Sequence, residues 1–358
     1  MMKNIVITLL LCCLSITVSA QSAGGQVRRP AKKATITQKV QDNQKRSMHY
    51  QAQVNREKRV VVDGIEYIIR GNEASMSSST IGGIKTETVI IPNFIYDDGK
   101  RFKVTKIEGG FKYKTDTIVK HIVLNNNIKT ISRLAFSGCR LVSVFIPATV
   151  EYIDCNPFYQ MGTLEKIEVD SQNKWYDSRQ NCNAIIEKKS AKLISACRNT
   201  KIPKGVRIIG KLSYESLDVE EVNIPEGVIT IEEQAFRSCK KLTNVKLPST
   251  LRRIEYEAFG DSNIGEIELP SSLTFIGDKA FAGCKNMVHI VFPQNLTYLK
   301  CNTFMWTSLQ EVRIPPLIKE VDVTFLPPSL KYMYIPNGCK IKKLDGYPSN
   351  DKVQITRY

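Results

Sequence analysis

Seven times between residues 144 and 336 the chain writes one step: apolar, variable, apolar, proline. The instances are Val144-Phe145-Ile146-Pro147, Val222-Asn223-Ile224-Pro225, Val245-Lys246-Leu247-Pro248, Ile267-Glu268-Leu269-Pro270, Ile290-Val291-Phe292-Pro293, Val312-Arg313-Ile314-Pro315 and Met333-Tyr334-Ile335-Pro336. Asn125, Asp170 and Pro203 hold equivalent places, so the intervals from 125 to 336 are 22, 23, 33, 22, 23, 22, 23, 22 and 21. The one long step is a normal step plus an 11-residue insertion. A period of this size predicts a stack of short supersecondary units, because one unit cannot bury its own apolar side.

A second signature follows each proline: an apolar residue, three variable ones, a small residue and an aromatic. Ile131…Ala135-Phe136, Ile231…Ala235-Phe236, Ile254…Ala258-Phe259 and Ile276…Ala280-Phe281 carry it. Three residues later come Cys139, Cys239 and Cys284, each with an apolar residue shortly after. Each coil therefore reads as a strand, a proline corner, a second short strand and a helical or 3₁₀ turn. In the first strand Val245 and Leu247 point inward while Asn244 and Lys246 point out. Proline ends the ladder and sets the corner. Leu212-Ser213-Tyr214 departs from the Ala-Phe pattern, and the last coils drift.

The run from Leu247 to Pro293, with its repeated Leu-Pro and Ala-Phe steps, resembles the BspA-type leucine-rich repeat of bacterial surface and secreted proteins. The insertion from Tyr176 to Gly210 is similar to a hairpin insertion of that family, and the stretch from Gly64 to Ile107 resembles its lead-in of short strands. The resemblance implies a β-rich α/β solenoid. It would be a right-handed leucine-rich-repeat superhelix of about ten 22–23-residue coils with short helical turns and one β-hairpin insertion. The expected organisation is a signal peptide over 1–20, a disordered basic linker over 21–59 and an N-terminal β cap over 60–110. The solenoid follows over 111–340, with its hairpin at 171–200, and a C-terminal cap or tail at 341–358.

Ten cysteines occur, two of them in the leader. The column Cys139, Cys239, Cys284 has other coils between its members, beyond the reach of a disulfide, and reads as buried free thiols. In the hairpin, Lys188 to Ala191 forms the loop, Glu187 faces Lys192, and the register continues to Cys182 opposite Cys197. That pair is either a cross-strand disulfide, which is the expectation, or two free thiols. No Cys-x-x-Cys or Cys/His spacing suits zinc, and no cofactor is expected.

Export follows from the first twenty residues. Lys3 precedes the apolar run from Ile5 to Leu14, and Val18-Ser19-Ala20 offers a cleavage site before Gln21. That run is shorter than the ~20 apolar residues of a spanning helix, so no integral membrane segment is expected. Residues 21–59 then hold ten Lys and Arg against Asp42 and Glu57, half of the chain's formal net charge of +16. Such a segment reads as a solvated linker or as a basic arm touching anionic envelope polymer. Nucleic acid is not expected as a partner of an exported chain whose arm lacks interleaved aromatics.

Motifs of hydrolases, phosphate-binding loops and EF-hands are absent from the sequence. The expected activity is non-enzymatic. An open solenoid offers surface instead, and outward first-strand positions read coil by coil give a mixed face with aromatics near its ends. The candidate binding residues are Phe145, His289, Val291, Arg313, Tyr332 and Tyr334. Trp306 is either an interface anchor or a core filler. The resemblance implies adhesion or recognition of an extracellular protein or glycan from the cell surface or medium. A periplasmic scaffold role is the alternative.

Overall fold

The computed structural model describes residues 57–79, 84, 86–109, 118–137, 139–159, 161–324, 326–343 and 352–358. The expected signal peptide and residues 21–56 of the basic arm lie outside them. The arm was expected to reach residue 59, but the first strand already begins at Lys58.

The chain folds as a β-solenoid built from two ladders of short parallel strands. In one, second strands pair in register: Ile209 beside Ile231, Ile231 beside Ile254, Ile254 beside Ile276, and Ile276 beside Leu299. These five side chains are buried and form one inward column. In the other, first strands such as His121–Val123, Ser143–Ile146 and Lys166–Val169 alternate exposed and buried residues, as their period of two requires. Ahead of the coils, Lys58–Val62, Ile65–Arg70 and Glu73–Ser79 form an antiparallel meander. Its last strand pairs in parallel with Lys100–Ile107, which joins the second-strand ladder through Thr130–Ile131.

The proline corner is a hydrogen-bonded turn. The carbonyl of Pro225 accepts from Val228 N at 3.4 Å, that of Pro248 from Leu251 N at 3.2 Å, and that of Pro270 from Leu273 N at 3.0 Å. Where the third turn residue is Gly227, its φ is +100°, the left-handed position that a type II turn reserves for glycine.

The expected helical turn is corrected. Among the described residues helix is confined to two 3₁₀ turns, Arg179–Asn181 and Cys301–Phe304. The Ala-Phe segment instead alternates its hydrogen bonds. Ala235 N, Arg237 N and Cys239 N bond within the coil to Glu232 O, Gln234 O and Phe236 O. Gln234 N, Phe236 N and Ser238 N bond across to Tyr256 O, Ala258 O and Gly260 O of the next coil, at 2.7–2.9 Å. Two left-handed residues enforce this, Gln234 at φ +57° and Ser238 at φ +58°. Leu134, Leu212, Glu257 and Lys279 repeat the first, and Ser216, Asp261 and Trp306 the second. A left-handed non-glycine residue costs ~1–2 kcal/mol and breaks an α-helix. The cross-coil hydrogen bonds offset that cost and add a third ladder.

Inside this turn the aromatics stack. Phe236 and Phe259 lie 5.2 Å apart at 4°, and Phe259 and Phe281 5.5 Å apart at 2°. Ser213 and Tyr214, which break the sequence pattern, still occupy the Ala-Phe places. Tyr214 stacks on Phe236 at 4.7 Å, with its hydroxyl buried and unpartnered. The cysteine column is buried and free. Cys239 and Cys284 donate to the carbonyls of Tyr214 and Phe259 at 3.1 and 3.2 Å. The position thus takes a small side chain that satisfies the aromatic's carbonyl one coil back.

The insertion folds as the hairpin Ala184–Glu187 with Lys192–Ala196. Glu187 faces Lys192 and Ile186 faces Leu193. A bulge then skips Ile194, so that Ile185 faces Ser195 and Ala184 faces Ala196. The expected Cys182–Cys197 disulfide is therefore corrected: both thiols are free. The one-residue slip removes them from opposition. It also leaves Cys182 in the C-terminal core and Cys197 in the N-terminal one, where its thiol donates to Glu165 O at 3.1 Å. The hairpin divides the two cores. Ile185 packs with the residues before it, and Ala184, Ile186 and Leu193 with those after it.

Truncating the middle of the aromatic stack should be expensive. Phe259→Ala is expected to lower stability by about 3–5 kcal/mol, read as the shift in a urea unfolding midpoint. Burial also pushes the thiols of Cys182 and Cys284 up to about 11 and that of Cys239 up to about 12, against 9.0 for a free thiol. The unfolded chain ionises these groups first. Their contribution is complete below pH 9 and is lost as pH rises through 11 to 12. The urea midpoint should fall on that alkaline limb, and less steeply in Cys239→Ala.

Candidate functional site

The outward positions of the first strands make one face of the solenoid. Each is placed by the strand alternation: the residue between two buried apolar neighbours must project to solvent. Phe145 is 49% exposed, Val291 66% and Tyr332 44%; His289 and Arg313 are exposed and Tyr334 is half-buried. Trp306 is 61% exposed, which makes it a surface residue rather than a core filler.

Four of the six candidates come together. His289, Val291, Arg313 and Tyr334 line an open cleft of about 330 Å³, with Glu311, Gln294 and Tyr358. Its floor is Ile290, Phe292, Val312 and Ile314, all buried. Tyr332 stands on the same strand as Tyr334 but outside the cleft lining. Phe145 lies on the strand Ser143–Ile146, in a separate sheet at the other end of the array.

Tyr358 is the member that sequence reasoning missed. The segment Gln354–Arg357 pairs in parallel with Tyr332–Ile335, adding a strand where a cap or tail was expected. This places Tyr358 over the cleft. Its hydroxyl donates to Ile314 O at 2.5 Å, its N–H donates to Ile335 O at 3.0 Å, and its carbonyl accepts from Asn337 N at 2.8 Å. The Arg313 guanidinium sits 3.7 Å from the ring centroid. Such a contact holds the guanidinium flat and leaves its edge available to a ligand. The 22-residue interval from Tyr332 to Gln354, with the alternation of Val353 to Thr356, was the signal that could have revealed this strand.

Charges along the face differ by region. Lys166 pairs with Glu168 at 2.8 Å, and Lys120 with Glu87 at 2.7 Å. Glu266, Glu268, Glu311 and Arg313 have no ion pair among the described residues. On the opposite edge of the coils, Arg253 lies over Phe275 at 3.8 Å, and Phe275 stacks on Tyr298 at 4.5 Å. Among the described residues no group of three or more His, Cys, Asp or Glu is arranged to hold a metal ion. No described helix is long and apolar enough to cross a membrane.

The family model described as the BspA type leucine rich repeat region matches this chain in six copies, over residues 105–216 and 207–327. Similar solved structures include the pneumococcal vaccine antigen PcpA, 16% identical over 84% of this chain and 93% of that one, with a TM-score of 0.44. A leucine-rich repeat protein from Bacteroides ovatus is 21% identical over 83% and 78%, at 0.44. A leucine rich cell surface protein from Faecalibacterium prausnitzii is 15% identical over 84% and 94%, at 0.37. No curated protein gives a match. If the cleft is preformed, Tyr358→Phe should leave the fold intact but free the ring. The expected readout is a stability lower by about 0.5–1.5 kcal/mol for one hydrogen bond, taken from the urea unfolding curve, with unchanged circular dichroism.

Proposed function

Because this chain belongs to the BspA-type leucine-rich repeat family, we propose that it is an exported, cell-surface binding protein without catalytic activity, and that it recognises an extracellular protein or glycan through its first-strand face. The observation that carries this reading is the convergence of His289, Val291, Arg313, Tyr334 and Tyr358 around one cleft with an apolar floor. Aromatic and arginine side chains of this kind anchor partners, because they offer large area and directional contacts at low conformational cost. The coils behind them are held by the unbroken second-strand and turn ladders, so binding orders little that is not already ordered.

The export signal read from residues 1–20 supports an address beyond the inner membrane. A second reading has its own observation. The ten basic residues of 21–59 suit attachment to anionic envelope polymer, with the array as a periplasmic scaffold. Protease shaving of intact cells separates the two. Digestion of this protein while a periplasmic control survives supports surface recognition; protection until lysis supports the scaffold.

Substitution tests the face itself. Tyr332→Ala with Tyr334→Ala is expected to weaken attachment of the purified chain to immobilised extracellular matrix or a glycan array at least tenfold, ~1.4 kcal/mol or more. Removing residues 21–56 should leave that attachment intact. Unchanged attachment in the double variant would sink the reading.

A further inference from the structure

The first-strand ladder stops and restarts. Asn244–Lys246 pairs only with Glu221–Asn223, and Glu311–Arg313 pairs only with Tyr332–Ile335. Between them lie residues 266–269 and 289–292, whose sequence alternates like every other first strand. Among the described residues no backbone hydrogen bond joins either stretch to a neighbouring coil. The second-strand ladder runs through the same coils unbroken, from Arg253–Ile254 to Phe275–Ile276 to Tyr298–Leu299. So does the turn ladder, from Phe259 N to Ala280 O at 2.8 Å and from Phe281 N to Thr303 O at 3.1 Å. These coils are tied along two ladders and open along the third.

The opening has depth. Ile267 and Leu269 are only half-buried, whereas their counterparts Val222 and Ile224 are buried. Residues 266–269 and 289–294 line a groove of about 650 Å³, continuous with the cleft at Arg313 through His289 and Val291. Main-chain donors and acceptors in such a groove must be satisfied by water or by a ligand. Its rim carries Glu266 and Glu268, and Glu311 follows one coil on. None of the three has an ion pair among the described residues, on a chain whose formal net charge is +16.

We propose that this groove binds an extended, cationic peptide segment of a partner protein by strand addition. The peptide main chain would pair with the free N–H and C=O groups of residues 266–269 and 289–292. Its alternate Lys or Arg side chains would stand beside Glu266 and Glu268, one strand spacing of ~4.8 Å away. Small or apolar residues between them would cover Ile267 and Leu269. The proposal rests on the first-strand face being the binding surface, and it supplies the chemical class of the ligand.

The probe is a fluorescein-labelled ten-residue peptide of alternating Lys and Thr, titrated with the purified chain and followed by anisotropy at 50 mM and 150 mM salt. Saturable binding is expected. Glu266→Gln with Glu268→Gln should weaken it at least tenfold, and N-methylation of alternate peptide nitrogens should abolish it. Glu168→Gln, on a paired position of a distant coil, should leave it unchanged. Circular dichroism and the unfolding midpoint check the double variant. If that variant fails to fold, the N-methylated peptide still decides on the unaltered chain. Absent binding overturns the proposal. Equal binding of the N-methylated peptide also overturns it, since charge alone would then suffice. A glycan-array ligand lost in Tyr334→Ala, with no peptide binding, reassigns the face to carbohydrate and overturns it too. Peptide binding that persists while the Tyr332→Ala, Tyr334→Ala variant keeps full attachment to matrix separates the outcomes: the broader reading fails and this one stands.

Discussion

Everything in this molecule hangs on main-chain hydrogen bonds made between coils rather than within them. A coil of 22 or 23 residues has too little apolar area to fold alone. What fixes it is the neighbour that completes its donors and acceptors. The turn segment shows how far this goes. Gln234 and Ser238 accept a left-handed backbone that no isolated chain would favour, because that geometry turns alternate N–H groups toward the next coil. Local strain is traded for a non-local bond, and the aromatic stack of Phe236, Phe259 and Phe281 falls into register behind it.

The period, the inward columns, the proline corners and the outward face were all legible in the sequence, because each depends on apolar spacing alone. The turn was not. Left-handed residues are usually glycines, and here they are Leu134, Gln234, Glu257 and Lys279, chosen by tertiary hydrogen bonding that no propensity records. The hairpin register was legible for two pairs and then failed at the bulge, since Ile194 looks no different from its neighbours. A half-turn of error there moved Cys182 and Cys197 into different cores.

The candidate site was half legible. Alternation identified His289, Val291, Arg313 and Tyr334 as outward, but nothing in one sequence says which outward residues share a hollow. Tyr358 was hidden because its strand keeps the 22-residue spacing, Tyr332 to Gln354, but carries Arg357 and Tyr358 where the other repeats have an apolar residue and a proline. Residues 266–269 and 289–292 read like any other first strand, and their missing ladder is a property of how the coils lie, not of what they contain.

The hairpin carries a consequence for how the molecule comes apart. It separates two apolar cores, with Ile185 belonging to one and Ile186 to the other. At that boundary the parallel second-strand ladder gives way: Ile153 N donates to the Tyr176 hydroxyl at 2.8 Å in place of a following strand. A stack of like units transmits cooperativity only as well as its weakest junction. The hairpin is therefore a junction at which opening of one core need not open the other.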